Sequence, residues 1–477
     1  MKEKIIYTLV YCQYWTITWM KIIPFILRHG LYDTVRDLRR YPWLWIMLKV
    51  NRLLGKFGKG RSLRYQQAVS ILVSGIVSGV TDMLGNIFFR PDRLIIHEDM
   101  VPPEIFKAMG LSTFMAELNG IMLPMIEPHA MEQYIDESEN QGIPPDICSL
   151  PKSTMGLFLK GETPPAKAMV TSNLPCDAGM SSYALIEQKL KLPTFRLDIP
   201  YHFKDERALH FFVDELKRMI AWLEEKTPGK MDWNRLREIC EERNRMAELE
   251  MELWDLARIR PAPIAGEAIW LSHMWFFNLF PGSPEATDIF RKILALGKQN
   301  LAEGVPAVKN EKYRALLWNP PLTHFIDLFN WAEHAYGVSL IMDSMTFNRL
   351  PFIDTASNET MLQGLALNIM NGPMARHTRG PAENYMDDIF YIHKQFDLDM
   401  LWVAGHIGCK NTQALNGILR EKCREAGLPL LIIDYDLSDP RIVSREGIIN
   451  QIDHFMENIM KAKRLDPKAG STQESKS

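Results

Sequence analysis

Cysteine is scarce in this chain of 477 residues, and several short motifs of common enzyme classes are missing. No two of the six cysteines form a CxxC pair; they are Cys12, Cys148, Cys176, Cys240, Cys409 and Cys423. This excludes the usual patterns of zinc ribbons, thioredoxins and ferredoxins. The sequence also has no GxGxxG after an apolar run, no HExxH and no GxSxG. Residues 55–62 come closest to a phosphate-binding loop, but Arg61 stands where the required Lys should be.

The composition is that of an ordinary globular protein. Hydrophobic residues make up 47% and charged residues 24% of the chain. These proportions exclude a wholly disordered chain and a collagen-like repeat, and the sparse cysteines exclude a disulfide scaffold. The length corresponds to about two or three domains.

Positive charge is concentrated at the N-terminal end. The net charge is −3, yet residues 1–66 contain thirteen Lys or Arg and only three acidic residues, with tryptophans and tyrosines interleaved. Such a segment is typical of a helix on a membrane surface, of a surface that docks an acidic partner, or of an amphipathic arm packed on its own protein. We favour the packed arm, with its cations in solvent.

Two apolar stretches near the N-terminus are interpreted as parts of a soluble structure. Residues 5–27 are interrupted by Lys21 and Pro24, and no small-residue cleavage site follows, so we predict no secretory signal. Residues 68–89 include Asp82 and three glycines, and we predict a buried helix rather than a membrane span. We therefore expect a cytoplasmic protein with reduced thiols.

Short apolar runs alternate with amphipathic helices in both halves of the chain, which is typical of parallel α/β sheets. The first half is predicted to form a strand, a loop, a helix and a strand, over residues 168–172, 173–176, 181–191 and 193–199. The second half repeats this order over residues 400–404, 405–409, 412–426 and 430–434. Between them, residues 206–259 are predicted to be helical.

The sequence thus predicts an α/β fold with two doubly wound, Rossmann-like domains, helical inserts and an N-terminal helical arm. The expected divisions are a basic helical arm, a first α/β domain, a helical insert, a second α/β domain and a disordered tail, over residues 1–93, 94–215, 216–305, 306–462 and 463–477.

Three of the cysteines share a structural context. Cys148, Cys176 and Cys409 lie in loops rich in Gly, Pro and Asn, whereas the other three lie on predicted helices. A single cysteine is most often a small buried hydrophobe. Loops at the carboxyl ends of parallel strands, however, can meet in a common crevice. Three thiolates in one crevice suit a soft metal site, above all an iron–sulfur cluster with one iron left open.

Five short motifs contain these cysteines or follow the third of them: Asp146-Ile-Cys148, Asn173-Leu-Pro-Cys176, His406-Ile-Gly-Cys409-Lys410, Gly427-Leu-Pro-Leu-Leu-Ile-Ile-Asp434 and Asp439-Pro-Arg441. Together they resemble the 2-hydroxyacyl-CoA dehydratase/benzoyl-CoA reductase family. The similarity extends over residues 94–461, whereas residues 1–90 are not typical of the family.

The resemblance implies a [4Fe–4S] cluster held by Cys148, Cys176 and Cys409, with one iron open to substrate or water. It also implies a second, related subunit and an ATP-dependent iron–sulfur activator that delivers one electron at low potential. The implied reaction removes water from an (R)-2-hydroxyacyl-CoA, through ketyl radicals, and gives the 2-enoyl-CoA. No nucleic-acid partner is expected, and contact of the arm with a membrane surface is the less favoured interpretation.

Further site residues follow from the same resemblance. Glu117 resembles a family glutamate near the active site and is our candidate for proton transfer. A family serine that approaches the cluster falls near Glu98 or Asp99, where this chain has carboxylates instead. Independently of the resemblance, the aromatic run of Trp270, Trp275, Phe276 and Phe277 is a candidate lining of an acyl pocket, although such a run more often belongs to the core.

Two other functions stay open at this point. The chain could be a subunit of benzoyl-CoA reductase type, in which the electrons remain in the product. It could also be a non-catalytic electron-transfer or scaffold subunit of such a complex, because the arm and the carboxylates near residue 98 depart from the family pattern.

Overall fold

The computed structural model describes residues 2–201, 205–278, 280–319, 321–347, 351–378 and 380–466. Its helices are α1 (Lys2–His29), α2 (Leu31–Arg40), α3 (Trp43–Met47), α4 (Arg52–Gly58), α5 (Leu63–Phe89), α6 (Pro103–Ala108), α7 (Glu117–Ile126), α8 (Glu132–Asn140), α9 (Ser149–Leu159), α10 (Asp177–Leu190), α11 (Glu206–Lys226), α12 (Trp233–Arg258), α13 (Gly266–Asn278), α14 (Pro284–Glu303), α15 (Leu328–Tyr336), α16 (Asn358–Asn371), α17 (Pro373–Thr378), α18 (Ala382–Gln395), α19 (Lys410–Ala426) and α20 (Arg445–Asn458). Short 3-10 turns span Pro91–Arg93 and Thr323–Phe325.

The strands form two parallel sheets, as predicted. They are β1 (Leu94–His97), β2 (Ser112–Phe114), β3 (Ala168–Ser172), β4 (Thr194–Leu197), β5 (Tyr313–Trp318), β6 (Val338–Asp343), β7 (Met400–His406) and β8 (Leu430–Tyr435). The strand orders are β2-β1-β3-β4 and β6-β5-β7-β8. In the first sheet Ile96 pairs with Phe114 on one side and Met169 on the other. In each sheet the first strand in the chain lies in the interior, the second strand lies on one side of it, and the third and fourth strands lie on the other side. This strand order confirms the doubly wound α/β fold.

The predicted elements around the sheets are confirmed, with changes at their ends. Strand β3 has its predicted bounds, and β4, β7 and β8 cover the other predicted strands. Helices α10 and α19 begin earlier than predicted, directly after Cys176 and Cys409. Asp177 and Gly179 follow Cys176, and Asn411 follows Cys409; these residue types favour turns as well as helix N-termini, so the local sequence does not fix where the helices begin.

The predicted helical stretch 206–259 is wrong in one respect, because it contains a break. Residues 227–232 separate α11 from α12. Pro228 cannot continue α11, and the Thr227 hydroxyl accepts the N–H of Gly229 at 3.1 Å, which stabilises the turn.

The predicted N-terminal arm is helical and packs on the rest of the chain through a continuous apolar core. Helix α1 lies along α5, where the rings of Phe25 and Phe89 are 5.5 Å apart. Trp43 is buried, and its indole N–H donates to the carbonyl oxygen of Glu162 at 2.9 Å. Leu72 and Val73 of α5 are fully buried in the same core. The arm is therefore a folded part of the protein.

The outer side of the arm differs from the prediction. We expected cations in solvent and apolar side chains inside, but Met20, Leu27 and Leu31 are exposed. Among the described residues, α5 is the one helix long and apolar enough to cross a membrane, and 39% of its most apolar window is buried. Most of its buried side chains lie from Tyr65 to Val77, so the prediction of a buried helix is confirmed for the first half of α5 alone.

Two predictions about chain organisation stay untested. The domain boundaries remain predictions, and the one at residue 215 lies within α11. Residues 467–477 of the predicted disordered tail lie outside the described residues.

Candidate functional site

Each of the three loop cysteines immediately precedes a helix. Cys148 is the N-cap residue of α9, Cys176 of α10 and Cys409 of α19. The Cys176 thiol accepts the N–H of Gly179 at 3.4 Å, and the Cys409 thiol accepts the Thr412 hydroxyl at 3.2 Å. A helix N-terminus carries a partial positive charge, which offsets part of the cost of burying a thiolate at these positions.

Cys176 and Cys409 occupy equivalent places in the two sheets. Cys176 follows β3, which lies beside the first strand β1, and Cys409 follows β7, which lies beside the first strand β5. The strand order of each sheet reverses between these two strands, and ligands of doubly wound sheets bind in the crevice at such a point. The two cysteines therefore lie at the crevices of the two sheets.

Cys148 reaches this region through close contact with the loop of Cys409. A Cβ atom placed on Gly408 would lie 2.7 Å from the Cα of Cys148, so the two backbones touch there. The Lys410 ammonium also lies 2.9 Å from the carboxylate of Asp146 and links the same two loops. The structure thus brings together loops that are about 260 positions apart in the sequence.

The donor set suits an iron–sulfur cluster. Burial raises the pKa of Cys148, and the nearby Cys409 and Cys176 raise it further. Burial also raises the pKa of Cys176, with additional effects of Glu117 and Cys409. The three thiols thus share one environment, and all three are partly exposed. Soft thiolates of this kind are the usual ligands of iron–sulfur clusters.

The described residues hold no group of three or more His, Cys, Asp or Glu side chains close enough to bind a single metal ion. A single ion needs all its thiolates about 2.3 Å from one centre. In a cluster each thiolate binds a different iron, so the ligands stand further apart. The ligands of a cluster therefore need not meet the spacing of a single-ion site.

Three carboxyl groups lie together near the carboxyl end of β1, and one of them, Glu117, also acts on Cys176. Burial raises the pKa of Glu117 to about 7, with a further contribution from Asp99. Burial raises the pKa of Asp99 to about 6 and that of Glu98 well above its usual range. Tyr183 of α10 lies next to Glu117, and burial raises its pKa as well. We call Glu98, Asp99 and Glu117 the acidic cluster.

A cleft of about 650 Å³ extends away from the acidic cluster, and we call it the Asp99 cleft. Its walls are mostly apolar and include Met100 and Phe277. The Arg243 guanidinium also lines it and pairs with the buried carboxylate of Glu104. Ligand sites commonly combine apolar walls with a few fixed polar groups.

The structure brings some of the predicted site residues together and places others in the core. It brings Cys148, Cys176, Cys409 and Glu117 into one region, and their roles stay predictions. Of the four aromatic candidates, Phe277 lines the Asp99 cleft. Trp270 and Phe276 are buried in the core, and the side chain of Trp275 lies outside the described residues.

Sequence reasoning missed several side chains near the site. Tyr183, Arg243 and His273 come from α10, α12 and α13, and no motif marks any of them. His273 Nδ1 lies 2.8 Å from the carboxylate of Glu250, and both side chains are buried. Only the fold brings Tyr183 to the acidic cluster and Arg243 and His273 to the Asp99 cleft, so one sequence carries no signal for them.

Arg61, which stands where a phosphate-binding loop would have its Lys, is held in buried ion pairs. This agrees with the interpretation that residues 55–62 are not a phosphate-binding loop. The Arg61 guanidinium is 1% exposed and lies 2.8 Å from the carboxylate of Glu267 and 2.7 Å from that of Glu333. Its charge therefore joins the arm to α13 and α15.

Comparison with known proteins shows the family of this chain. Residues 100–459 match the family model described as 2-hydroxyglutaryl-CoA dehydratase, D-component. The chain therefore belongs to the 2-hydroxyacyl-CoA dehydratase and benzoyl-CoA reductase family, a class of acyl-CoA enzymes.

Three relatives show how the chain stands within this family. It is 24% identical over 358 residues to a benzoyl-CoA reductase subunit of Thauera aromatica, covering 68% of this chain and 79% of the relative. It is 21% identical over 386 residues to the lactoyl-CoA dehydratase alpha subunit of Anaerotignum propionicum, covering 75% and 88%. It is also 21% identical over 348 residues to the (R)-phenyllactyl-CoA dehydratase alpha subunit of Clostridium sporogenes, covering 69% and 80%.

Proposed function

We propose that this chain is the cluster-bearing subunit of a cytoplasmic 2-hydroxyacyl-CoA dehydratase. The enzyme would remove water from an (R)-2-hydroxyacyl-CoA and give the 2-enoyl-CoA, after one-electron activation by an ATP-dependent iron–sulfur protein. The observation that carries the proposal is the meeting of Cys148, Cys176 and Cys409 at the crevices of two doubly wound sheets. That all three relatives are subunits supports a second, related subunit as partner.

The three cysteines would hold a [4Fe–4S] cluster through their thiolates. When bound, such a cluster supplies one-electron chemistry and an open iron that acts as a Lewis acid. The chain holds all three thiols in partly buried positions, and burial raises the pKa of Cys148 and of Cys176. It also directs three helix N-termini toward them, and each N-terminus stabilises negative charge.

The acidic cluster would move protons. A general acid or base works best when its pKa lies near the working pH. Glu117, with a pKa of about 7, meets this condition, and Asp99, with a pKa of about 6, comes close. Asp99 belongs to the acidic cluster and also lines the Asp99 cleft. A substrate whose acyl group occupied the cleft would therefore present its α and β carbons to these carboxyls.

Turnover under anaerobic conditions tests the proposal. The chain is produced with a matched second subunit and activator and supplied with a panel of (R)-2-hydroxyacyl-CoA thioesters, ATP and a low-potential reductant. We expect a 2-enoyl-CoA product and a reductant requirement far below one equivalent per turnover. A cluster-loaded complex that gave no turnover with any thioester would contradict the proposal and favour a non-catalytic role.

A second candidate function follows from the similarity to the benzoyl-CoA reductase of Thauera aromatica. A reductase keeps the electrons in the product, so it consumes reductant in proportion to product formed. The same assay with an aromatic acyl-CoA separates the two functions, because stoichiometric loss of reductant would identify a reductase.

A further inference from the structure

The N-terminal arm presents an apolar stripe to solvent. On α1 the exposed positions Leu9, Met20, Ile23 and Leu27 follow a spacing of three or four residues or its multiples, which places them on one side of the helix. Leu31 continues the stripe onto α2. Leu27 is 77% and Leu31 73% exposed. Side chains this apolar and this exposed mark a surface that is covered by something else.

The stripe is unusual for this molecule. Among the described residues, ten of the 22 exposed large apolar side chains lie between residues 9 and 48. This is less than a tenth of the chain and holds nearly half of its exposed apolar groups. It also lies outside the segment 100–459 that matches the family, so a surface that the family shares does not account for it.

Cations surround the stripe, and the acids near it are neutralised. Lys21, Arg28, Arg39 and Arg40 are exposed. The nearby Asp33 and Asp37 both pair with Arg36. The surface is therefore apolar with a positive rim. This combination, with Trp and Tyr side chains interleaved, is that of helices that lie in the surface of an anionic bilayer.

An apolar cavity lies beneath the stripe, between α1, α2, α3 and α5. It measures about 840 Å³ including its open mouth, and its walls include Phe25, Leu38 and Leu84. The polar pair His29 and Asp37, 2.8 Å apart, lies at its wall. A cavity of this kind suits a lipid chain better than the surface of a folded protein partner.

The arm is built to lie on a bilayer rather than to cross it. The first half of α5 buries most of its apolar side chains in the protein core, so it is held there by the protein. The buried contacts of Arg61 with Glu267 and Glu333 hold the arm to α13 and α15. Helix α1, with 28 residues, is about 42 Å long and offers its stripe along one side.

We propose that α1 and α2 bind the surface of an anionic lipid bilayer through the stripe of Leu9, Met20, Ile23, Leu27 and Leu31 and the cations around it. The stripe enters the interface, the cations contact lipid phosphates, and the cluster-bearing domains remain in water. This inference goes beyond the proposed function and does not depend on it.

Co-sedimentation of the full chain with vesicles tests the proposal. One set of vesicles contains phosphatidylcholine alone, and the other contains about one third phosphatidylglycerol. We expect binding to the anionic vesicles that weakens with salt, and binding to neutral vesicles that is at least about tenfold weaker. The double variant Leu27→Gln/Leu31→Gln should lose at least about tenfold in binding, because two exposed leucines no longer enter the lipid.

A matched control separates the stripe from general surface hydrophobicity. Ile442→Gln/Ile459→Gln removes two side chains that are 53% and 59% exposed elsewhere on the chain, and it should leave vesicle binding unchanged. Circular dichroism melting shows whether each variant is folded. Sedimentation velocity supplies the opposing outcome: an oligomer that Leu27→Gln/Leu31→Gln dissociates, with no binding to either vesicle, would show a protein interface and overturn the proposal. Absence of both vesicle binding and an oligomer would also overturn it.

Discussion

At the scale of single residues, environment rather than residue type defines the site. The chain has six cysteines and 58 acidic residues, and most of them could not be distinguished from background by identity alone. Cys148, Cys176 and Cys409 stand out because loops and helix N-termini hold them. Glu117 stands out because burial raises its pKa to about 7. Loop position can be inferred from neighbouring Gly, Pro and Asn, whereas burial depends on the whole fold.

Glu117 should give the protein a measurable pH dependence. Its folded pKa of about 7 lies above the ordinary value of 4.5. The folded chain therefore binds a proton that the unfolded chain releases, and this stabilisation is lost as the pH rises from about 4.5 through 7. The shift corresponds to about 3 kcal/mol. Glu117→Gln removes the titration, so its melting temperature should exceed that of the wild type at about pH 8, and the two should converge toward about pH 5.

A surface control makes this prediction specific. Glu225→Gln changes a carboxylate whose side chain is 69% exposed beside Lys226, so its melting curve should follow the wild type across the same pH range. Parallel pH dependences for wild type and Glu117→Gln would show that Glu117 is ionised in the folded chain at all these values, contrary to our assignment.

At the scale of elements, short loops between strand and helix place the thiols. The motifs identified these loops in the sequence, because a strand, a Gly- or Pro-rich loop and a helix have distinct local patterns. The break between α11 and α12 was missed, because the heptad-like apolar spacing on either side of Pro228 outweighed one proline. A common crevice for these loops could be expected, but the backbone contact between Gly408 and Cys148 could not, since nothing local in the sequence records it.

Gly408 controls that contact. In Gly408→Ala the added Cβ would lie 2.7 Å from the Cα and 2.9 Å from the N of Cys148, so the two backbones must separate. Overpacking of this kind costs about 1–3 kcal/mol. We expect a lower free energy of unfolding, measured with denaturant, and weaker cluster retention. Gly417→Ala in α19 is the matched control, since its Cβ meets nothing within 4 Å and Ala favours helix. Equal stability of the two variants would contradict the predicted contact.

The arm depends on another tertiary interaction. Arg61→Met would leave the buried carboxylates of Glu267 and Glu333 without their cation, which costs about 3–5 kcal/mol. Arg64→Met removes a partly exposed pair with Glu303, which is worth at most about 1 kcal/mol. Denaturant unfolding should therefore separate the two variants clearly. Restored stability in the triple variant Arg61→Met/Glu267→Gln/Glu333→Gln would identify the unpaired charges as the cause. A loss of stability in Arg64→Met as large as that in Arg61→Met would contradict the importance of the buried ion pairs.

At the scale of the whole molecule, the two parallel sheets share the same strand order. The orders β2-β1-β3-β4 and β6-β5-β7-β8 place Cys176 and Cys409 at equivalent points, and the loop of Cys148 joins them. The alternation of strands and helices in the sequence was sufficient to predict two doubly wound units. The course of the arm was not predictable to the same degree, because its helices are apolar on the outside as well as the inside, and amphipathic patterns assume one apolar side.

The central claim is that Cys148, Cys176 and Cys409 hold one [4Fe–4S] cluster, and iron and sulfide analysis of the purified chain after anaerobic reconstitution tests it most directly. We predict about four iron and about four sulfide per chain for the wild type and for Cys12→Ala, Cys240→Ala and Cys423→Ala. We predict loss of the cluster in each of Cys148→Ala, Cys176→Ala and Cys409→Ala. A wild-type chain that took up no iron, or a Cys240→Ala chain that lost its cluster while folded, would contradict the account.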